Sequence, residues 1–427
     1  MHFINSEAFA RSLDEQDSLR SFRDRFLVPR HGGREIIYLC GNSLGLQPRT
    51  AGTRIREQLD NWEHLAVEGW FEGDTPWMHY HRDLQDMVAP IVGALPSEVA
   101  VMNTLTVNLH LLMVSFYRPQ GRRNKILMEA GAFPSDQYAV ESQVRFHGLS
   151  PEEVIVEVTP RPGEDTLRHE DILAGIELHR DELALVLFGG INYYTGQLYD
   201  LEGIAAAGHA AGARVGFDLA HAAGNVILKL HDWDVDFACW CSYKYMNSSP
   251  GGISGIFVHE RHFSSDLNRF AGWWGYQQKT RFLMEKGFVP EAGAEGWMVS
   301  CSPVLMLAAH RAALEIFAEA GGMEVLREKS LKLTGYAEFL IREVNDAMGE
   351  EVLRIITPAD RAGRGCQLSI IARMNGKRIF DQLVEQRIVG DWREPDVIRI
   401  SPVPLYNSFT DVWAFGTALK SICLSMR

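Results

Sequence analysis

In Cys241-Ser-Tyr-Lys-Tyr-Met-Asn-Ser-Ser-Pro250, running into Gly251-Gly252, Lys244 stands between two tyrosines, after an apolar run and before a glycine pair. The run Phe237-Ala-Cys-Trp-Cys241 reads as a buried strand. A lysine just beyond it loses solvation, which frees its amine for imine chemistry and makes Lys244 the expected covalent anchor of a carbonyl cofactor. Upstream, Val215-Gly-Phe-Asp-Leu-Ala-His221 reads as a strand ending in Asp218, with the His221 imidazole close behind. An acid so placed suits the protonated ring nitrogen of pyridoxal 5′-phosphate, whose aldehyde is the partner such a lysine needs.

That cofactor also carries a phosphate, which needs a cradle. Asn103-Thr-Leu-Thr-Val-Asn108 lies where a strand gives way to an apolar helix over 107–116, and a helix N-terminus with threonine hydroxyls is a natural anion site. The plain alternative is that Thr104 or Thr106 caps the helix. A second strand, Lys125–Glu129, leads into Ala132-Phe-Pro-Ser-Asp-Gln-Tyr138, placing an aromatic and an acid at a neighbouring strand end. Ligands of open α/β sheets collect at that carboxyl edge.

The elements that position these residues are legible as alternating strand and helix signals. Strands are expected near 98–102, 125–129, 154–158, 183–188, 214–218 and 237–241, in a mostly parallel α/β sheet, with one more, antiparallel, over 253–259. From about Pro303 the pattern changes to long helices over 304–320 and 325–344, then short strands near 368–372 and 397–400, which reads as a smaller C-terminal domain. A chain of 427 residues exceeds one ordinary core and favours this division.

Composition narrows the partners. A formal charge of −13 with no compact Lys/Arg stripe argues against nucleic acid, so an anionic substrate must be captured by local arginines. Met1-His-Phe-Ile-Asn-Ser-Glu-Ala-Phe lacks the basic start and apolar core of a secretory signal, and no run approaches membrane-spanning length, so a cytoplasmic location without membrane contact is expected. The six cysteines lack C-x-x-C pairs, which argues against a metal site and for reduced, mostly buried thiols. Cys239 and Cys241 alternate along one strand as packing residues.

Taken in order, the fragments Tyr38-Leu-Cys-Gly-Asn-Ser-Leu-Gly-Leu-Gln-Pro48, Asn103-Thr-Leu-Thr-Val-Asn-Leu-His110, Phe133-Pro-Ser-Asp136, Tyr194-Thr-Gly-Gln197, Phe217-Asp-Leu-Ala-His-Ala222, Cys239-Trp-Cys-Ser-Tyr-Lys-Tyr245, Gly272-Trp-Trp-Gly275 and Pro402-Val-Pro-Leu-Tyr-Asn407 carry a resemblance. The chain resembles the kynureninase family, fold-type-I pyridoxal-phosphate hydrolases of the aminotransferase class V group. The resemblance implies a seven-stranded, mostly parallel sheet with a smaller C-terminal α+β domain. It divides the chain into an N-terminal segment over 1–60, a large cofactor-binding domain over 61–303 and a small domain over 304–427.

It also implies roles. Lys244 would hold pyridoxal 5′-phosphate covalently and serve as base, Asp218 would pair with the ring nitrogen, and His221 and Asp136 would lie close by. Phe133 would stack on the ring, Leu105 and Thr106 would meet the phosphate, and Tyr243 would add a hydrogen bond and shuttle a proton. Trp273 matches a phosphate-contacting tryptophan that the family supplies from a neighbouring subunit, which implies a homodimer with shared active sites. Cys301 stands where relatives place a hydrogen-bonding Asn or Thr, and a thiol is a poorer donor. Gly189 stands where some relatives carry a serine, leaving only backbone for contact.

On the substrate side, Arg399 would bind an α-carboxylate, with Arg393 the weaker choice, and Asn42, Ser43 and Trp70 would line the pocket. Without the resemblance, Arg399 reads as a surface salt bridge and Trp70 as a packing aromatic. The bulk of Trp70, where animal relatives carry a histidine, favours L-kynurenine over 3-hydroxykynurenine. The implied reaction is hydrolytic Cβ–Cγ cleavage of L-kynurenine to anthranilate and L-alanine. The alternatives are another class V enzyme such as a cysteine desulfurase, which would want a cysteine on a mobile loop, and an idle scaffold that keeps the fold.

Overall fold

Apolar runs flanked by turn residues become the strands of one seven-stranded sheet: β1 (Val99–Val101), β2 (Lys125–Glu129), β3 (Ile155–Val158), β4 (Leu183–Gly189), β5 (Arg214–Asp218), β6 (Phe237–Cys241) and β7 (Ser254–Val258). The structure is a computed structural model and describes residues 2–373 and 375–426. In space the strands run β1-β7-β6-β5-β4-β2-β3. β7 is antiparallel to both its neighbours, and the pairings β6-β5-β4-β2-β3 are all parallel. β6 and β7 are buried at every residue, as strands covered on both faces must be.

Because the strands run parallel, their carboxyl ends come level. Asp218 pairs in register with Gly189 on one side and Cys239 on the other. Gly216 secures that register: a Cβ there would stand 2.1 Å from the ring of Phe237, its partner on β6, so only glycine lets the ring lie flat over the strand. Helix α1 (Leu105–Phe116) follows β1 and helix α2 (Pro134–Phe146) follows β2. Phe116, at the end of α1, stacks on Phe237 with centroids 4.8 Å apart. The elements bearing the chemistry are thus pinned by aromatic packing beneath them.

The chain forms two compact units. One holds Ala51–Asn192 and Tyr199–Leu314, with the sheet just described. The other holds Met1–Thr50, Tyr193–Leu198 and Glu315–Arg427. Its antiparallel sheet runs in the order β8 (Leu353–Ile355), β9 (Leu368–Ala372), β11 (Val397–Ile400), β10 (Asp391–Arg393). With helices α3 (Met323–Met348) and α4 (Phe409–Ser425), the sheet buries a core that includes Leu340, Ile370, Ile398 and Phe415. Tyr193–Leu198 joins this unit through hydrogen bonds that periodicity cannot foretell: Gln367 Nε2 to the Tyr193 carbonyl at 3.0 Å, Ser369 Oγ to Tyr194 at 2.6 Å and Thr357 Oγ1 to Thr195 at 2.6 Å. Among the described residues no helix is long and apolar enough to cross a membrane.

Candidate active site

Strand ends assemble the first cluster. Lys244 lies just past β6 and its Nζ is 3.0 Å from Nε2 of His221, which follows β5 and is itself buried. The same Nζ stands 6.0 Å from the centroid of Phe133 and 5.8 Å from that of Tyr243. Asp218 is buried and accepts from the Ala220 N–H at 2.7 Å. Lys244, Asp218, His221, Phe133, Asp136 and Tyr243, six residues expected of one site, are therefore together.

The cluster is rich in carboxyls. Burial, reinforced by the Asp218 charge beside it, holds the Asp136 carboxyl well above the usual carboxylate range, and Asp136 shares a hydrogen bond with Asp218. Burial also raises Asp218, with the Ala220 N–H and the nearby Lys244 opposing it. Asp136 Oδ1 is buried without a hydrogen-bond partner among the described residues. Burial likewise pushes up the Tyr243 phenol, with the Cys241 thiol beside it adding to the shift, so the phenol keeps its proton. Cys239 and Cys241 are buried packing residues with thiols raised by burial, as their alternation suggests.

Glu129 was not singled out by sequence reasoning, although it ends β2 as Asp218 ends β5 and the same signal could have found it. Both its carboxylate oxygens lie 3.1 Å from the Gly189 N–H, and a Cβ on Gly189 would stand 2.9 Å from Oε1. Burial pushes this carboxyl from 4.5 up to about 7, against the Gly189 hydrogen bond. A carboxyl whose folded pKa lies above its unfolded value stabilises the fold fully below the unfolded value and loses that contribution as pH rises through the folded one. The cofactor-free protein is thus expected to lose up to about 3 kcal/mol between about pH 4.5 and 7 from this group. Thermal unfolding against pH measures it: Glu129→Gln should flatten the decline, and an equally steep decline in the variant would contradict the assignment.

Asn103 takes a left-handed φ of +48° at the turn from β1 into α1, and its Nδ2 donates to Asn108 at 3.0 Å. Thr104 occupies the position before the helix but makes no side-chain cap, and Thr106 Oγ1 instead meets Ser135 Oγ at 2.7 Å. Neither threonine is the simple cap that was the alternative reading. The Thr106 bond ties the turn after β1 to the Phe133–Asp136 turn after β2, and among the described residues Thr104, at the start of the helix that Leu105 and Thr106 open, makes no capping side-chain bond.

Trp273, Cys301 and Trp70 meet elsewhere in the same unit, on an apolar cavity of about 510 Å³ also lined by Val67, Phe71 and Met78. None of the lysine cluster lines it. Trp70 packs edge-on against Trp77 at 5.7 Å and against Trp274 at 5.5 Å, so it is both a packing aromatic and a wall of this cavity. Trp273 is 46% exposed.

In the other unit Arg399 is 1% exposed, which rules out the surface salt bridge. Its Nη2 pairs with Asp391, its Nη1 donates to the Tyr193 carbonyl at 2.5 Å, and Ser43 Oγ donates to the same Asp391. Arg393 Nη2 is 3.4 Å from Asp391 and more exposed than Arg399. Asn42 is 1% exposed, and neither its amide oxygen nor its nitrogen has a hydrogen-bond partner among the described residues. A buried amide left in that state costs stability unless a ligand completes it. Asp391 is the second residue the sequence reading missed. The hairpin register that sets it opposite Arg399 would have exposed it.

A family model described as Aminotransferase class-V matches residues 37–361, and one described as Kynureninase C-terminal domain matches residues 326–419. A curated relative named kynureninase from Flavobacterium psychrophilum is 54% identical over 421 residues, covering 98% of this chain and 99% of its own. Another of that name from Myxococcus xanthus is 55% identical over 420 residues, covering 98% and 97%. Among solved structures, a cysteine desulfurase from Thermococcus onnurineus NA1 superposes with a TM-score of 0.75 at 15% identity, covering 91% of this chain and 95% of that one. One from Escherichia coli gives 0.75 at 16%, covering 96% and 99%. At such identity these two likenesses speak to the fold alone.

Proposed function

The chain belongs to the kynureninase branch of the aminotransferase class-V family, and from that premise we propose that it hydrolyses L-kynurenine at the Cβ–Cγ bond, giving anthranilate and L-alanine, with pyridoxal 5′-phosphate held by Lys244. The observation that carries this reading is the Lys244 amine, 3.0 Å from His221 and facing the buried Asp218 and Asp136 carboxyls at the carboxyl edge of the sheet. The donor set fits the cofactor. Asp218 and the unpartnered Oδ1 of Asp136 suit a protonated ring nitrogen, Phe133 offers a face to stack, and the uncapped start of α1 with Leu105 and Thr106 suits a phosphate.

When bound, the cofactor supplies an aldehyde for imine formation and an electron-poor ring that accepts the electrons of a breaking Cα–H or Cβ–Cγ bond. Asp218 would hold the ring nitrogen and favour its protonated form. The Lys244 amine would take the substrate Cα proton and later return it. Tyr243, whose phenol burial keeps protonated, donates toward the carbon fragment that remains after water has attacked the side-chain carbonyl. Arg399 binds the α-carboxylate, and Asn42 and Ser43 complete the polar contacts. Trp70 shares the Trp273 cavity, so it would give the aryl group an aromatic wall where a second copy brings that cavity to Lys244, and its bulk would favour L-kynurenine over the 3-hydroxy form. Substrate and products are small and water-soluble, which suits a cytoplasmic setting.

A cysteine desulfurase needs a reactive thiol, and the candidates differ. Cys366 is buried, its thiol pushed up to about 11 by burial, whereas Cys301 is exposed. Assaying products decides between the readings: L-kynurenine should yield anthranilate and alanine in equal amounts, and sulfide from cysteine without anthranilate would overturn the proposal.

The cofactor residues expected of the family fall on two patches of one chain, which supports a second copy. Around Trp273 the surface exposes Phe71, Phe282, Leu283 and Met284, an apolar patch of the kind that marks an interface. We propose that a second copy covers it and receives Trp273 and Cys301 beside its own Lys244. Lys244→Ala and Trp273→Ala chains, each weakly active alone, should regain up to about a quarter of full activity when mixed and refolded, because half the dimers then hold one intact site of two. Activity that stays at the level of the separate variants contradicts sharing.

A further inference from the structure

The α-carboxylate subsite depends on a residue that the family reading does not name. β10 and β11 pair so that Asp391 stands directly opposite Arg399, with Glu394-Pro395-Asp396 turning the chain between them. Oδ2 of Asp391 receives Arg399 Nη2, Ser43 Oγ and, at 3.4 Å, Arg393 Nη2. Arg399 is further tied by the Tyr193 carbonyl on Nη1. One oxygen therefore fixes two residues expected to touch substrate, and the unsatisfied Asn42 amide adjoins Ser43 in sequence. The charges also match the ligand: two guanidinium groups and one carboxylate leave a single positive charge, the complement of one α-carboxylate.

We propose that Asp391 is a positioning residue that aims Arg399 and Ser43 at the α-carboxylate of the amino-acid substrate. The inference rests on the reading that Arg399 binds that carboxylate. Asp391 acts through those side chains and takes no part in bond breaking, so its loss belongs in substrate affinity rather than turnover. A purely structural ion pair would lower stability without discriminating among ligands.

The test compares Asp391→Ala and Asp391→Asn in the cofactor-loaded enzyme. Asp391→Ala should raise KM for L-kynurenine about 10- to 100-fold, as loss of a carboxylate that orients a ligand-binding side chain does, with kcat changed by no more than about threefold. Asp391→Asn, which keeps an acceptor oxygen, should recover part of that loss. Inhibition by kynuramine, the substrate without its α-carboxylate, should be unchanged in both. An unchanged KM in Asp391→Ala overturns the proposal. So does a kynuramine inhibition constant that rises in step with KM, or a loss confined to kcat. If the wild-type protein released no anthranilate, the proposed reaction would fail by itself. The Asp391 claim would then be read from L-alanine binding, followed by visible absorption: weakening by about tenfold or more in Asp391→Ala supports it, and unaltered affinity refutes it.

Discussion

Replacing Lys244 by alanine is expected to remove covalent cofactor attachment and to lower kcat by a factor on the order of 10⁴, because on the proposed mechanism the one amine is both anchor and base. The visible absorption of the lysine-bound cofactor should vanish, while the fold persists, since the strand beneath Lys244 is pinned by Phe237 and Trp240 rather than by the lysine. Added methylamine should restore a small part of the proton transfer without restoring attachment. A Lys244→Ala protein that keeps both the absorption and the turnover would show that another lysine carries the chemistry.

Arg399→Ala carries the second largest effect. It removes the proposed α-carboxylate partner and leaves the largely buried Asp391 without its closest cation. The loss in kcat/KM should be about 1,000-fold, equivalent to about 4 kcal/mol, in the range for truncating one member of a buried, hydrogen-bonded charge pair. Arg399→Lys keeps the charge but not the planar fork, so it should fall between wild type and alanine. Steady-state kinetics with L-kynurenine measure both. Full activity in Arg399→Ala would move the carboxylate site to Arg393 or elsewhere.

Most of the sheet was legible because its strands are short, largely apolar runs, and helices lie between all the successive parallel strands but β5 and β6. The antiparallel β7 was legible too, since only the short segment from Asn247 to Gly252 separates it from the lysine turn. Other features depend on tertiary register that a linear pattern does not carry. Tyr193–Leu198 falls within the span expected for the large domain, and its backbone carbonyls are held by Gln367, Ser369 and Thr357 from far along the chain. The threonines of α1 looked like caps, yet Thr106 is claimed by Ser135 from the next turn.

For the proposed site, residue type and strand-end placement singled out Lys244 and Asp218, whereas the proposed roles of Arg399, Trp273 and Cys301 rest on the family resemblance. Arg399 in isolation has the signature of a surface charge, and only burial distinguishes it. Asp391 and Glu129 escaped both routes. Each is an acid at a strand whose importance lies in what faces it, Arg399 across a hairpin and the Gly189 N–H across a parallel pair.

The most direct test of the lysine anchor is borohydride reduction of the purified, cofactor-loaded protein followed by peptide mapping. One phosphopyridoxyl group per chain is expected, on the peptide containing Lys244. A label on any other lysine, or none after reduction, would contradict it.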